Sequence, residues 1–187
     1  MSDQVKKIRA PFDETTARSL RAGDRVLITG TILAARDAAH KRLVETLDKG
    51  EPLPVDLKGA GVYYLGPSPA RPGQVIGAAG PTTSGRMDAY TPQLLGLGLK
   101  GMIGKGYRSE AVAQAIRDFG APYLAAIGGA GALVARSIKK YTVLAYDDLG
   151  PEALAALGAD MLSVAERQSA ALAKLGDHLL DGWGNVD

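Results

Sequence analysis

The chain contains no cysteine, and that absence removes disulfides, thiol nucleophiles and thiolate metal ligands together. Only two histidines are present, His40 and His178, so a complete zinc site drawn from this chain alone is not expected. A strong charge of one sign is missing as well. Lys and Arg total 22 against 20 acidic residues, leaving a net charge of +2, too small to argue for nucleic acid or an anionic membrane surface as a partner. No apolar run approaches the length of a membrane span, and Met1-Ser2-Asp3-Gln4 lacks the charged-then-apolar pattern of a secretory signal. A cytoplasmic protein is the expectation. The remaining composition, 46% hydrophobic and 22% charged over 187 residues, suits one well-buried core and therefore a single domain over 1–187.

Strand-like and helical runs alternate along that length. Arg25-Val26-Leu27-Ile28-Thr29 reads as a strand, and Gly30 leads to a helical pattern from about Ala34 to Leu47. Gly61 to Leu65 and Val75-Ile76 read as strands joined by the proline-stiffened turn Gly66 to Gly73. Thr91 to Leu95 reads as a helix, Gly101-Met102-Ile103 as a short buried strand, and Ser109 to Phe119 as a helix with Val112, Ile116 and Phe119 on one side. Pro122 to Ile127 reads as a strand, Ala132 to Ile138 as a short helix and Thr142 to Tyr146 as a strand, and Gly150-Pro151-Glu152 places a proline where a helix can begin. The last part, Val164 to Leu180, has Leu172, Leu175 and Leu179 on one helical face. The order predicts an α/β fold in a single domain with a mixed sheet, ending in a helical segment over about 160–187.

The most informative stretch is Gly80-Pro81-Thr82-Thr83-Ser84-Gly85-Arg86-Met87-Asp88, in which three consecutive hydroxyls precede an arginine on a glycine-bounded turn. Such a turn can bind a carboxylate, because arginine matches it with a planar fork and glycine lets backbone amides approach. A Ser/Thr-rich helix cap explains the same composition. Gly96-Leu97-Gly98-Leu99-Lys100-Gly101 matches the dinucleotide fingerprint only formally, since it follows a helix and precedes a strand. Gly104-Lys105-Gly106 fails as a P-loop, with leucine at 99 and glycine at 106 where glycine and a hydroxyl are needed. Gly128-Gly129-Ala130-Gly131 is either an anion-binding helix start or a tight turn. Lys105 stands directly after an apolar strand, and Arg36 lies four residues before His40, a spacing that also fits an ordinary surface pair.

The strings Ala35-Arg36-Asp37-Ala38-Ala39-His40-Lys41-Arg42, Gly80 to Asp88 and Met102-Ile103-Gly104-Lys105-Gly106 together resemble the beta subunit, or C-terminal region, of class I iron-sulfur fumarate hydratases and their tartrate dehydratase relatives. Ser137-Ile138-Lys139-Lys140 and Leu149-Gly150-Pro151-Glu152-Ala153 extend the resemblance, which runs from about Lys7 to Leu157.

The resemblance implies a swivelling β/β/α domain and a hydro-lyase that interconverts fumarate and malate with a [4Fe-4S] cluster. The cluster-binding cysteines belong to the family's alpha part, in keeping with a chain that has none. A cysteine-bearing alpha subunit is therefore the expected partner, in a heterotetramer. By the same resemblance Thr82 is the base, Arg36, Thr83, Arg86 and Lys105 bind the dicarboxylate, and no residue of this chain binds metal. Gly85 resembles the fumarase pattern, and L-tartrate dehydratase and mesaconate hydratase are the alternatives within the class. A non-catalytic dicarboxylate-binding or regulatory module is the alternative outside it. The helical pattern after Val164 departs from the family.

Overall fold

The computed structural model describes residues 5–126 and 130–166. The chain runs β1 (Lys6–Ala10), α1 (Glu14–Ser19), β2 (Arg25–Ala34), α2 (Asp37–Asp48), β3 (Gly61–Tyr63), a 3-10 turn (Ser84–Met87), α3 (Thr91–Gly96), β4 (Gly101–Gly104), α4 (Glu110–Phe119), β5 (Tyr123–Ala125), α5 (Gly131–Arg136), β6 (Ile138–Ala145), a 3-10 segment (Asp147–Glu152) and β7 (Leu154–Glu166). Local chemistry accounts for several boundaries. Asp13 and Ser109 cap α1 and α4 by accepting from the amides of Thr16 and Val112, and Gly120 ends α4 in the left-handed conformation.

The sheet is mixed and has seven strands. Strands β1 to β5 pair in parallel in sequence order, and β7 runs antiparallel to β2, β5 and β6. The pairings β2–β3–β4–β5–β7 return to β2, so these strands form a closed circuit with β1 and β6 attached outside it. β2 bends between its partners at a bulge, where its register with β7 shifts between Ile28 and Gly30.

Strand periodicity divides the buried side chains into two cores. Ile32, Ala34, Tyr63, Leu65, Ile103 and Leu124 face inward with Ala155, Leu157 and Leu162 of β7. Their neighbours Leu33, Val62, Tyr64, Met102 and Tyr123 face the other way, against Leu43 of α2, Leu94 and Leu95 of α3, and Val112 and Ile116 of α4. One core therefore lies among the strands of the sheet, and the other between the sheet and α2, α3 and α4. Among the described residues, no helix is long and apolar enough to cross a membrane.

Four expectations are corrected or left aside. Val75-Ile76 forms no strand: Ile76 packs into the inner core while Val75 is exposed, and the loop closes on itself when Ser68 Oγ accepts from Ala78 N at 2.8 Å. No helix begins at Gly150-Pro151-Glu152; Pro151 lies within the 3-10 segment, and β7 starts two residues after it ends. Val164 belongs to β7 rather than to a helix, and the remainder of that expected helix lies outside the described residues. So do Gly128 and Gly129. Elements β1, α1 and β7 are additions to the sequence reading.

Gly30 has φ +117°, and a Cβ built there would stand 2.2 Å from the Ala10 carbonyl oxygen. Gly30→Ala is expected to cost about 2 kcal/mol or more, combining strain with a clash against backbone. Urea unfolding checks this, and an unchanged midpoint would show that the bulge does not depend on glycine.

Candidate active site

Three parallel strands bring their carboxyl ends to one rim. Ala34 pairs with Tyr63, and Tyr63 with Ile103, so two residues further along each chain Arg36, Leu65 and Lys105 arrive side by side. Sheets of this kind bind ligands at that edge. The hydroxyl-rich loop returns to the same place: Pro81 bridges Leu65 and Thr83 bridges Lys105. Thr82 N donates to the Tyr64 carbonyl at 2.8 Å, and Ser84 N to the Lys105 carbonyl at 2.9 Å. Backbone bonds thus stitch residues 81–84 to the ends of both β3 and β4.

Ser84 and Met87 are the buried side of the 3-10 turn, which leaves Arg86 exposed on its outer side. Thr83 occupies the N-cap position but its side chain makes no capping bond. The helix-cap explanation of the hydroxyls therefore fails for Thr83, and Ser84 spends its hydroxyl on Tyr123 at 2.8 Å. Among the described residues, neither Thr82 nor Thr83 has a side-chain hydrogen bond, and neither Arg86 nor Lys105 has an ion-pair partner. Arg36 differs. Its Nη2 lies 3.2 Å from Glu152 Oε1 and 3.7 Å from Asp37 Oδ1, while its Nε is buried without a partner. A Cβ at Gly66 would stand 2.7 Å from Arg36 Cδ, so the side chain lies across the end of the β3 extension. Arg36, Thr82, Thr83 and Lys105 are gathered on one rim, and Arg86 follows in the adjoining turn.

Beneath the rim is a layer of polar groups that the sequence did not reveal. His40 was expected as a surface neighbour of Arg36; it is 1% exposed, because α2 turns Ala39, His40 and Leu43 toward the sheet. Its Nδ1 donates to the Arg36 carbonyl at 2.8 Å, and its ring meets Tyr64 edge-on at 5.3 Å. Burial pushes the imidazole down to about 4; the Arg108 charge acts in the same direction and the bond to Arg36 against it. Arg108 is also hidden, with its side chain 1% exposed and its Nε 2.7 Å from Asp88 Oδ1. Burial opposes its charge, but Tyr64 and Asp88 more than offset this and raise its proton affinity. The signal for His40 is its apolar flank, Ala38-Ala39 and Leu43. Arg108, next to a helix cap, carries none.

Residues 2–165 match the family described as Fumarase C-terminus. The chain belongs to that family. It is 43% identical to "Fumarate hydratase 2" of Leishmania major over 151 residues, which cover 79% of this chain and 27% of that protein. It is 43% identical to "Fumarate hydratase class I, aerobic" of Escherichia coli (strain K12) over 132 residues, covering 70% of this chain and 24% of that protein. A third relative has about the same length: "Putative L(+)-tartrate dehydratase subunit beta" of Methanocaldococcus jannaschii is 37% identical over 142 residues, 73% of each. The chain spans about a quarter of the length of the fumarate hydratases it matches, and most of the subunit-sized relative.

His40 generates a pH prediction. Its folded value of about 4 lies below the ordinary 6.5, so between those limits the unfolded chain binds a proton that the folded chain excludes. Stability from this group is complete above pH 6.5 and declines toward pH 4, by up to about 3 kcal/mol. Urea unfolding of wild type and His40→Asn at pH 7.5 and 4.5 isolates it. The variant is expected to lose less stability on acidification, and equal losses would exclude His40 as the cause.

Proposed function

We propose that this chain is the beta subunit of a two-chain hydro-lyase that reversibly hydrates fumarate to malate, and that residues 1–187 form its dicarboxylate-binding, base-supplying domain. The observation that carries this reading is the rim itself: two hydroxyls and two cations that have no partner among the described residues, beside Arg36. Taking a proton from the carbon next to a carboxylate builds a second negative charge on that carboxylate, and fixed cations are what such a site requires.

Thr82 is the proposed base. A threonine hydroxyl is a weak acid, and only a strongly cationic, water-poor surrounding makes its ionised form accessible. Arg86 clamps the carboxylate and lowers the proton affinity of Thr82, Thr83 donates a hydrogen bond to the same carboxylate, Arg36 holds the substrate from the α2 side and Lys105 neutralises the developing charge. In dehydration the ionised Thr82 oxygen takes the proton. The electron pair of that C–H bond becomes the double bond, and the hydroxyl leaves the neighbouring carbon with its own pair. Hydration returns the proton from Thr82.

This chain's residues do not fit a [4Fe-4S] cluster. The sequence offers no cysteine, and among the described residues no three His, Cys, Asp or Glu side chains gather. The proposal assigns the cluster to a cysteine-bearing alpha subunit in a cytoplasmic heterotetramer. The subunit-sized relative supports the two-chain arrangement. That relative also keeps L-tartrate as a second substrate to be tested.

Anaerobic coexpression with a cysteine-bearing alpha subunit from the same organism tests the reading. The expected product is a brown complex that hydrates fumarate faster than it dehydrates L-tartrate. Thr82→Ala should lower kcat by about 100-fold or more, and Arg86→Ala should raise KM by about tenfold or more. A complex that binds dicarboxylate without turnover would make the chain a binding module. Full activity in Thr82→Ala would remove the threonine from the base role.

A further inference from the structure

Arg108 is an expensive residue to bury. A guanidinium inside a protein costs several kcal/mol unless paired, and well-packed apolar side chains generally stabilise a core as well or better. Its partners show what else it does, because each one leads to the rim. Nε binds Asp88 Oδ1 at 2.7 Å. The other Asp88 oxygen accepts from Ser109 N at 2.5 Å, while Asp88 N closes the Arg86-bearing turn by donating to Gly85 O at 3.2 Å. Nη2 donates to Thr91 Oγ1 at 2.8 Å and Nη1 to the Tyr64 hydroxyl at 3.3 Å. Tyr64 is the residue whose carbonyl holds the Thr82 amide.

The guanidinium carbon also lies 5.3 Å from the Tyr64 ring centre and 5.1 Å from that of Tyr123. Tyr123 donates to the Gly106 carbonyl at 3.1 Å and thereby accepts from Ser84 Oγ at 2.8 Å. Gly106 follows Lys105, and Ser84 follows Thr83. One planar fork therefore sets the two tyrosines and the aspartate that fix the backbone on both sides of Thr82, Thr83, Arg86 and Lys105.

We propose that Arg108 is a positioning residue for this site, acting through Asp88, Tyr64 and Tyr123 and touching no substrate. The role rests on the proposed hydration reaction, in which a displacement of about 1 Å between base and substrate can cost about 100-fold in rate. Arg108→Lys tests it by keeping the charge and losing the fork. Tyr123→Phe keeps the ring and removes only the hydroxyl, so it serves where the lysine variant does not fold.

In the alpha–beta complex both variants are expected to lower kcat by about 10- to 100-fold with KM changed by less than about threefold. In the free chain, the amides of Thr82, Ser84 and Asp88 should exchange with deuterium about tenfold faster, while those of the β2–β7 ladder keep wild-type rates. Unchanged kcat overturns the positioning role. So does a loss of protection spread evenly over the ladder, because Arg108 would then only support the fold. A wild-type complex that does not hydrate fumarate overturns the proposed function and this role with it. That outcome is distinct, because Thr82→Ala is then silent too; a working wild type that both substitutions leave unaffected removes the positioning role alone.

Discussion

Ser84 lies directly against Gly104 in the site. A Cβ on Gly104 would stand 2.1 Å from Ser84 Oγ and 2.8 Å from Tyr64 Cδ2, so only glycine lets the loop settle onto the end of β4. Settling buries Ser84 and directs its hydroxyl to Tyr123, and the adjacent backbone is then close enough for Thr83 to bridge Lys105. The rim depends on this contact. Were the loop held a side chain's width away, the amides of Thr82 and Ser84 would lose their carbonyl partners, and nothing local would fix the threonines, which make no side-chain bonds among the described residues.

Charge is arranged in two levels above that contact. In the lower level everything is compensated or neutral: Arg108 faces Asp88, and His40 is held uncharged by burial. In the upper level Arg86 and Lys105 have no ion partner among the described residues. The lower cation is spent on geometry and the upper ones are left for a ligand. Exposed cations screened by water attract an anion weakly, by about 1 kcal/mol at contact distance in bulk water, and much more once water is excluded. On the proposed reading, the same residues that bind modestly in the free chain become a strong electrostatic clamp when a partner covers the rim.

Sequence periodicity exposed the framework and missed its closure. Strands with β-branched or aromatic runs, such as Arg25 to Thr29 and Gly61 to Tyr63, were legible because each has a local signature. β7 was not: its start, Leu154-Ala155-Ala156-Leu157, is apolar at every position, so the alternating burial of the strand leaves no alternating pattern in the sequence, and its identity comes from pairing with β2, which is distant in sequence. Val75-Ile76 shows the converse, an apolar pair whose proline-rich surroundings offer no ladder. At the site, the glycine-bounded hydroxyls and the motif strings marked the rim residues in advance. The supporting layer was legible only at His40, whose apolar flank marks a buried position; nothing next to Arg108 announces that Tyr64 and Tyr123 will cover it.

On the proposed reading, the rim carries one half of the chemistry. A hydro-lyase needs a base for the carbon-bound proton and an acid for the departing hydroxyl. The carboxyl groups around the rim are already committed: Glu152 binds Arg36 and the Ala38 amide, Asp37 lies beside Arg36, and Asp88 is shared by Arg108 and Ser109. His40 has its Nδ1 on a carbonyl and stays neutral well below pH 7. Glu152 and Asp88 each hold both a cation and a backbone amide, and His40 holds a carbonyl, so releasing any of them would undo the contact it serves. On the proposed reading the chain therefore brings cations and a base to the substrate, and the acid comes from another chain.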